Sequence, residues 1–526
     1  MKQPQVSLVH DVLAVLVVLV SGAAAAQKQE TFDVLEYQIE GNEVLPVTTV
    51  ERAVYPFLGE KRSVEDVERA RAALEKAYRD AGYLTVQVLI PEQEVKDNVV
   101  RLTVTSGKLS KLRVTGSRYY AQGRIRERAP SLQEGEALSF PAVQRDLAGL
   151  NRSESLRVVP VLRPGPRFGT TEVDLNVTDR RPYGFNAALT NYTSPNTTDL
   201  RLSAGARYDN LWQREHSAAV TVQTSPQDTQ EVRALSASYA VPLHGDWGIL
   251  AGYYIASDSQ VAVVGDQAVL GKGSMAGFRW SKPLPAVGNF YHSLTVGADY
   301  KDFQQNVGAP GEPPIDQPVR YVPGTVSWAA TRVGGRSLTT LSTGLVFNIR
   351  QLSDDDAVFA NRRFNASSSF VVWKLEATRT QKLTNVLSAF LQVDGQHADG
   401  PLVVNEQFLI GGASFPSVRG YLEAEKAGDD GAHATFELRG AVPAARIWSQ
   451  LNEFQVLLFA DWGYVVTQDP LPQQEVHASL SSAGLGLRAA ALDGLRLRLD
   501  VGVPFSSTQF TEAGKPRVQF SASYQY

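Results

Sequence analysis

The chain of 526 residues contains no cysteine. A disulfide framework, a thiolate metal site and a thiol nucleophile are all excluded by that one absence. A basic excess is lacking as well: 51 Lys and Arg stand against 55 Asp and Glu, and the net charge of −4 offers no cationic field for a nucleic acid. No apolar run is long enough for a spanning helix, since the longest covers only about nine residues, at 12–20, where roughly twenty are needed. The seven histidines, at 10, 216, 244, 292, 397, 433 and 477, show no zinc-site pairing and no His-Glu-x-x-His. Residues 265–273 miss the spacing of a phosphate loop, and Gly273 stands where the magnesium-binding hydroxyl belongs. Gly412-Ala413-Ser414 has Pro416 where a nucleophile elbow closes with glycine. The run Asp354-Asp355-Asp356 reads as a solvated acidic loop rather than a calcium site. No catalytic group, metal site or cofactor site emerges, which leaves transport or assembly.

The residues that are present fall into three textures. The apolar run at 12–20 follows Lys2 and ends in Ser21, Gly22 and Ala24-Ala25-Ala26, the pattern of a secretory leader cleaved before Gln27. From Phe32 to about residue 180, short β-rich runs alternate with helices. Val64, Val67, Ala70, Leu74, Ala77, Tyr78 and Ala81 recur at steps of three and four, predicting a helix over 63–83 capped by Ser63 and stopped by Gly82. Strands are predicted at 34–40, 85–90 and 99–105. A weaker second copy follows, with strands at 109–114, 156–162 and 172–177 and a helix over 139–150. Each copy is large enough for one small core but not for a roomy active site, which suits a docking array.

After Arg181 and Pro182 the helical periodicity ends. Segments of about ten residues alternate apolar and polar positions, as transmembrane β-strands do. Leu495, Leu497, Leu499 and Val501 oppose Arg496, Arg498 and Asp500, and Val518, Phe520, Ala522 and Tyr524 oppose Gln519, Ser521 and Ser523. Alternation alone also fits a soluble sandwich. The links favour a barrel: every second one is tight (244–246, 334–335, 493–494), while those between are long and polar (305–317, 351–360, 397–430). Sixteen strands are predicted, starting near residues 183, 199, 216, 231, 247, 272, 290, 320, 336, 361, 385, 431, 452, 477, 495 and 515.

The longest link carries Gly411-Gly412-Ala413-Ser414-Phe415-Pro416-Ser417-Val418-Arg419-Gly420-Tyr421. An apolar, aromatic loop of about thirty residues is costly to leave in water, so it is expected to fold back into the lumen. There Arg419 needs an acidic partner. In the strand at 454–464, Val456, Leu458, Ala460, Trp462 and Tyr464 take the lipid face, placing Phe459, Asp461 and Gly463 toward the lumen. In the strand before it, Thr435, Glu437 and Arg439 lie opposite Ala434, Phe436 and Leu438. An Arg419–Asp461 pair is expected, with Glu437 as the second candidate.

Val418-Arg419-Gly420-Tyr421, together with Phe459-Ala460-Asp461-Trp462-Gly463, resembles the paired signature of two-partner secretion outer-membrane transporters of the ShlB/FhaC type. Gly41-Asn42, Gly82-Tyr83, Ile90-Pro91-Glu92-Gln93 and Ser106-Gly107-Lys108-Leu109 are similar to the landmarks of a ShlB-type POTRA domain. The resemblance implies a leader at 1–26, POTRA domains at 27–107 and 108–180, and a sixteen-stranded antiparallel barrel at 181–526 with a loop inserted at 398–430. It also implies a bacterial outer-membrane location with the POTRA domains in the periplasm. By it, Arg419 at the loop tip pairs with Asp461 on the inner wall, and a large secreted exoprotein (adhesin, haemolysin or toxin) binds the POTRA domains and crosses unfolded. No cofactor, metal or nucleic acid is expected, lipid surrounds the barrel, and the transporter is expected to act as a monomer. Some members carry a plug helix before the first POTRA domain; the few residues between Gln27 and Phe32 make one doubtful here. The rival readings are an insertase of the same superfamily and a passive porin.

Overall fold

The structure, a computed structural model, describes residues 31–526 except 152, 154, 244, 246, 259–260, 265–266, 271, 305, 308–314, 317, 415–417 and 444–446. The expected leader, Phe415, Pro416 and Ser417 of the loop motif, and most of the 305–317 link lie outside the described residues.

In the first mixed domain β1 (Phe32–Val34) pairs with β3 (Gly59–Arg62). A second sheet has the order β2 (Glu36–Glu40), β5 (Val99–Thr105), β4 (Gln87–Leu89). The β2–β5 pairing is parallel and the β4–β5 pairing antiparallel. The single strand expected at 34–40 is split at Leu35, where the amides of Leu35 and Glu36 both donate to the Asn98 carbonyl. That break lets β1 and β2 join different sheets. Helix α1 (Val47–Val54) has no counterpart in the periodicity reading, because its β-branched first turn is a poor helix former; burial of Val50 and Val54 stabilises it. Helix α2 (Val64–Asp80) buries Val67, Ala70, Leu74 and Tyr78 against the alternating Val100, Leu102 and Val104 of β5. Ser63 and Asp66 form a reciprocal capping box at its start, and the bond from the Ser63 amide holds the Asp66 carboxyl below its ordinary range. Burial pushes the Tyr78 phenol up to about 12, and its hydroxyl donates to Asn42 Oδ1 at 2.6 Å.

The second mixed domain has the sheet order β6 (Lys108–Thr115), β8 (Thr170–Asp179), β7 (Leu156–Pro164), with helices α3 (Gln122–Glu127) and α4 (Phe140–Leu150). Residues 172–177, predicted from sequence as a strand, belong to β8. That strand is central in the sheet, with β6 and β7 as the outer strands.

The remainder is a closed antiparallel barrel. Its first eight strands are β9 (Tyr183–Thr190), β10 (Arg201–Leu211), β11 (His216–Thr224), β12 (Arg233–Pro242), β13 (Ile249–Asp258), β14 (Lys272–Pro283), β15 (Phe290–Gln304) and β16, which runs as Val319–Tyr321 and Pro323–Val333. The other eight are β17 (Ser337–Asn348), β18 (Val371–Lys382), β19 (Leu387–Ala398), β20 (Asp430–Ala441), β21 (Leu451–Val466), β22 (His477–Ala491), β23 (Leu495–Pro504) and β24 (Arg517–Gln525). Both pieces of β16 pair with β15, so they form one interrupted strand; β24 pairs with β9, and sixteen strands close without an edge. Leu458 is 54% exposed and Phe436 50%, whereas their neighbours Phe459 and Glu437 are buried. A soluble sandwich would bury the apolar face instead, so the outward apolar band marks a membrane wall.

One strand departs from the sequence reading. The tenth barrel strand was expected near Asn361 but begins at Val371, and helix α5 (Asp356–Arg362) occupies the link before it. The acidic run supports this link: Asp356 Oδ1 accepts from the Ser368 amide and from the hydroxyls of Ser367 and Ser368, at 2.8, 3.0 and 2.7 Å. Phe359 of α5 is fully buried against Tyr321 and Phe370.

Candidate functional site

The loop of residues 399–429 joins β19 to β20, and a short hairpin within it pairs Phe408–Ile410 with Lys426–Gly428. Its tip lies inside the barrel. Ile410, Val418 and Tyr421 form one apolar cluster with Val465 of β21 and Leu480 of β22. Gly463 makes that approach possible, since a Cβ there would stand 3.0 Å from both Ile410 Cγ2 and Val418 Cγ2. At the tip Gly420 has φ +96°, a left-handed conformation that favours glycine. Opposite it on β23, a Cβ on Gly502 would fall 2.7 Å from the Arg419 carbonyl carbon and the Gly420 nitrogen. Two wall glycines thus leave the groove into which the loop backbone fits.

Arg419 is completely buried. Its Nε and Nη2 donate to Asp461 Oδ2 and Oδ1, each at 2.8 Å, in the two-pronged geometry that a guanidinium fork and a carboxylate share. The Arg419 amide adds a bond of 3.0 Å to Asp461 Oδ2. Nη1 donates to Glu437 Oε1 at 2.7 Å and lies 3.5 Å from Asp500 Oδ1. The guanidinium carbon sits 3.6 Å from the centre of the Phe459 ring, a cation–π contact within the buried site. A second tier surrounds these groups: Arg439 Nε donates to Glu437 Oε2 at 2.7 Å, and Arg498 and Arg488 donate to Asp500 Oδ2 at 2.7 and 3.1 Å. Glu437 and Asp500 are each shared between cations and Asp461 takes both prongs of Arg419, which offsets the several kcal/mol that burying each ion costs.

The next two loop residues are tied by neutral bonds. The Gly420 amide donates to Gln519 Oε1 and Gln519 Nε2 donates to the Tyr421 carbonyl, both at 3.0 Å. The Tyr421 hydroxyl donates toward the Ser481 or Ser506 carbonyl, at 3.1 and 3.0 Å, and accepts from the Ser506 amide at 3.2 Å. Beside the cluster lies a cavity of about 430 Å³, walled by Arg439, Arg488 and Arg498 on one side and by Thr190, Arg201 and Ser203 of β9 and β10 on the other.

The structure brings together all eight residues singled out from the sequence: Val418, Arg419, Gly420 and Tyr421 on the loop, Glu437 on β20, and Phe459, Asp461 and Gly463 on β21. Asp461 and Glu437, weighed as alternatives, both hold the arginine. Asp500, Gln519, Thr435 and Gly502 were not picked out. The alternation along β23 did place Asp500 on the polar face, but strand parity does not tell which lumen side chains meet across a closed barrel.

Residues 169–489 match the family of haemolysin secretion/activation proteins ShlB/FhaC/HecB, and residues 32–107 match the ShlB-type POTRA domain. The heme/hemopexin transporter protein HuxB of Haemophilus influenzae (strain 86-028NP) is 22% identical over 502 residues, covering 92% of this chain and 86% of the relative. The outer membrane transporter CdiB of Dickeya dadantii is 22% identical over 404 residues, 73% of this chain and 67% of that protein. The solved structure of CdiB from Escherichia coli superposes with a TM-score of 0.65 at 18% identity, over 97% of this chain and 93% of the other, which shows a shared fold. With its POTRA domain, closed sixteen-stranded barrel and buried loop, the chain belongs to the ShlB/FhaC/HecB haemolysin secretion/activation family, outer-membrane transporters of two-partner secretion.

Proposed function

We propose that the loop of residues 399–429 closes the transport path at rest, with Arg419 as its latch and Asp461 and Glu437 as the catches on the wall. The observation that carries this reading is the complete burial of Arg419 between carboxylates of two different barrel strands. An apolar plug would hold a loop as well as a buried ion cluster does, because the desolvation of ions consumes most of their attraction. Charges differ in how they release. When the loop moves, water and the surrounding arginines take up the freed carboxylates, whereas an apolar seat would be left exposed.

In this reading the client is a large exoprotein that arrives unfolded, adds as a strand to the mixed domains, and passes through the lumen of a single barrel once the loop moves aside. Adhesin, haemolysin and growth-inhibition toxin are the client classes that suit such a path. The test is secretion of the partner together with channel activity of the purified protein. Arg419→Ala and Asp461→Ala are expected to impair secretion alike and to raise resting conductance, since removing one member of a buried pair costs about 3–5 kcal/mol. Glu437→Ala is expected to have the smaller effect, because Arg419 keeps both bonds to Asp461 and the nearby Asp500 carboxylate. Intact secretion in Asp461→Ala beside abolished secretion in Glu437→Ala would reverse the assignment of the main catch.

A further inference from the structure

The cavity beside the latch collects hydrogen-bond donors that have no acceptor for them. Arg201, at the start of β10, is buried, with 3% of its surface exposed. A guanidinium does not shed its proton, so this charge stays in the wall. All four of its bonds go to neutral oxygens. Nη1 donates to the Thr198 carbonyl, the Thr198 hydroxyl and the Leu200 carbonyl, at 2.8, 3.2 and 3.0 Å, and Nη2 donates to the Thr197 hydroxyl at 2.7 Å. Asp199 and Glu231 act on it only through space, and Glu231 is bonded instead to the Thr198 amide, at 3.1 and 3.0 Å. In the same cavity the hydroxyl of Tyr192 is buried and has no hydrogen-bond partner among the described residues.

Arg488 and Arg498 face this space from β22 and β23. Arg498 uses Nε on Asp500, and its two Nη groups make no bond to the described residues. With Arg439 from β20, four arginines surround about 430 Å³, against two carboxylates, Glu423 and Glu437. Both carboxylates are already engaged: Glu423 Oε1 accepts from the amides of Ala413 and Ser414, at 2.6 and 3.2 Å, and Glu437 is held by Arg419 and Arg439. The arginines continue along the lumen face, where Arg496 shares the parity of Arg498 on β23, and Arg207, beside Asp209, shares that of Arg201 on β10.

We infer that this cavity is an oxyanion site, formed by Arg201, Arg498 and the Tyr192 hydroxyl, which takes the carboxylate of an acidic segment of the polypeptide in transit. A buried cation without a counter-ion and a buried phenol without an acceptor require the same thing, a group that only accepts. A carboxylate meets both needs, and its two oxygens match the paired donors of a guanidinium. The volume lies within the range of ligand pockets and exceeds what one small ion fills, which favours an anionic side chain carried on a chain. This inference rests on the client passing through the lumen, and the experiment separates the two.

The experiment is calorimetric titration of the purified full-length protein in detergent with hexaglutamate, with hexalysine and inorganic phosphate as the other probes. Hexaglutamate is expected to bind and hexalysine not to. Arg201→Gln is expected to weaken hexaglutamate binding about tenfold or more, as the loss of a bond to a charged group does, and Tyr192→Phe, which removes only the hydroxyl, about fivefold. Heat-modifiable migration on gels reports that each barrel is folded, and Tyr192→Phe carries the test should Arg201→Gln not fold. No binding of hexaglutamate, or binding that is unchanged in the folded variants, overturns the site. Binding of phosphate without binding of hexaglutamate overturns the carboxylate assignment in favour of a free ion. A photo-crosslinker at Ser203, on the cavity wall, is the separate arm. Capture of a stalled client there supports the lumen route, and its absence beside intact hexaglutamate binding overturns the route while the anion site stands.

Discussion

Gly502 sets how deeply the latch can sit. It faces the peptide between Arg419 and Gly420, where any side chain would collide with loop backbone rather than with a flexible side-chain end. Gly502→Val is therefore expected to lift the loop tip while leaving every charge in place. At an overpacking cost of about 1–3 kcal/mol, resting conductance should rise roughly tenfold. Bilayer recording checks this, and an unchanged closed state would show that the tip is not seated against β23. At this scale the Arg419–Asp461 pair was legible in the sequence because a strand's period of two reports which side chains share the lumen. Asp500 and Gln519 were not: they lie on β23 and β24, whose distance from the loop tip depends on barrel closure, and period two is silent about that.

At the scale of elements, the two mixed domains offer a client different surfaces from those that apolar content suggests. β4 is an outer strand of the first sheet and β7 of the second, whereas β8 is central. Photo-crosslinkers at Leu89 on β4 and Leu162 on β7, both partly exposed, are expected to capture a stalled client, while one at the fully buried Leu175 on β8 is not. Capture from Leu175 with none from Leu162 would contradict strand addition at β7. The elements themselves were unevenly readable. Helix α2 shows a regular apolar stripe and a capping box, both local signals. Helix α1 and helix α5 owe their form to packing, α1 through Val50 and Val54 and α5 through Phe359, so nothing in their own few residues announces them.

At the scale of the molecule, the absence of cysteine becomes an experimental asset, because any introduced pair is the only pair. A Cβ on Gly463 would lie 3.0 Å from Val418 Cγ2. That is about the separation of a Cβ from the far sulfur of a disulfide. Val418→Cys with Gly463→Cys is expected to form a bond that stops secretion when oxidised and permits it when reduced. A second pair, Ala188→Cys with Ser523→Cys, faces across the β9–β24 closure. Joining it with a short thiol-reactive linker is expected to leave secretion intact, since the lumen route does not require the barrel to unzip; loss of secretion there with normal secretion in the first pair would move the path to the seam. The sequence by itself determined the sixteen alternating strands, the sorting of tight turns from long links, and the lumen-facing side of Asp461 and Glu437, because each follows from local periodicity and turn chemistry. Only the tertiary structure decided that both carboxylates grip one arginine, that Asp500 and Gln519 complete the seat, and that Thr435 braces Asp461. Those contacts join residues of β20, β21, β23 and β24 with the loop tip, and their distances exist only once the barrel has closed around it.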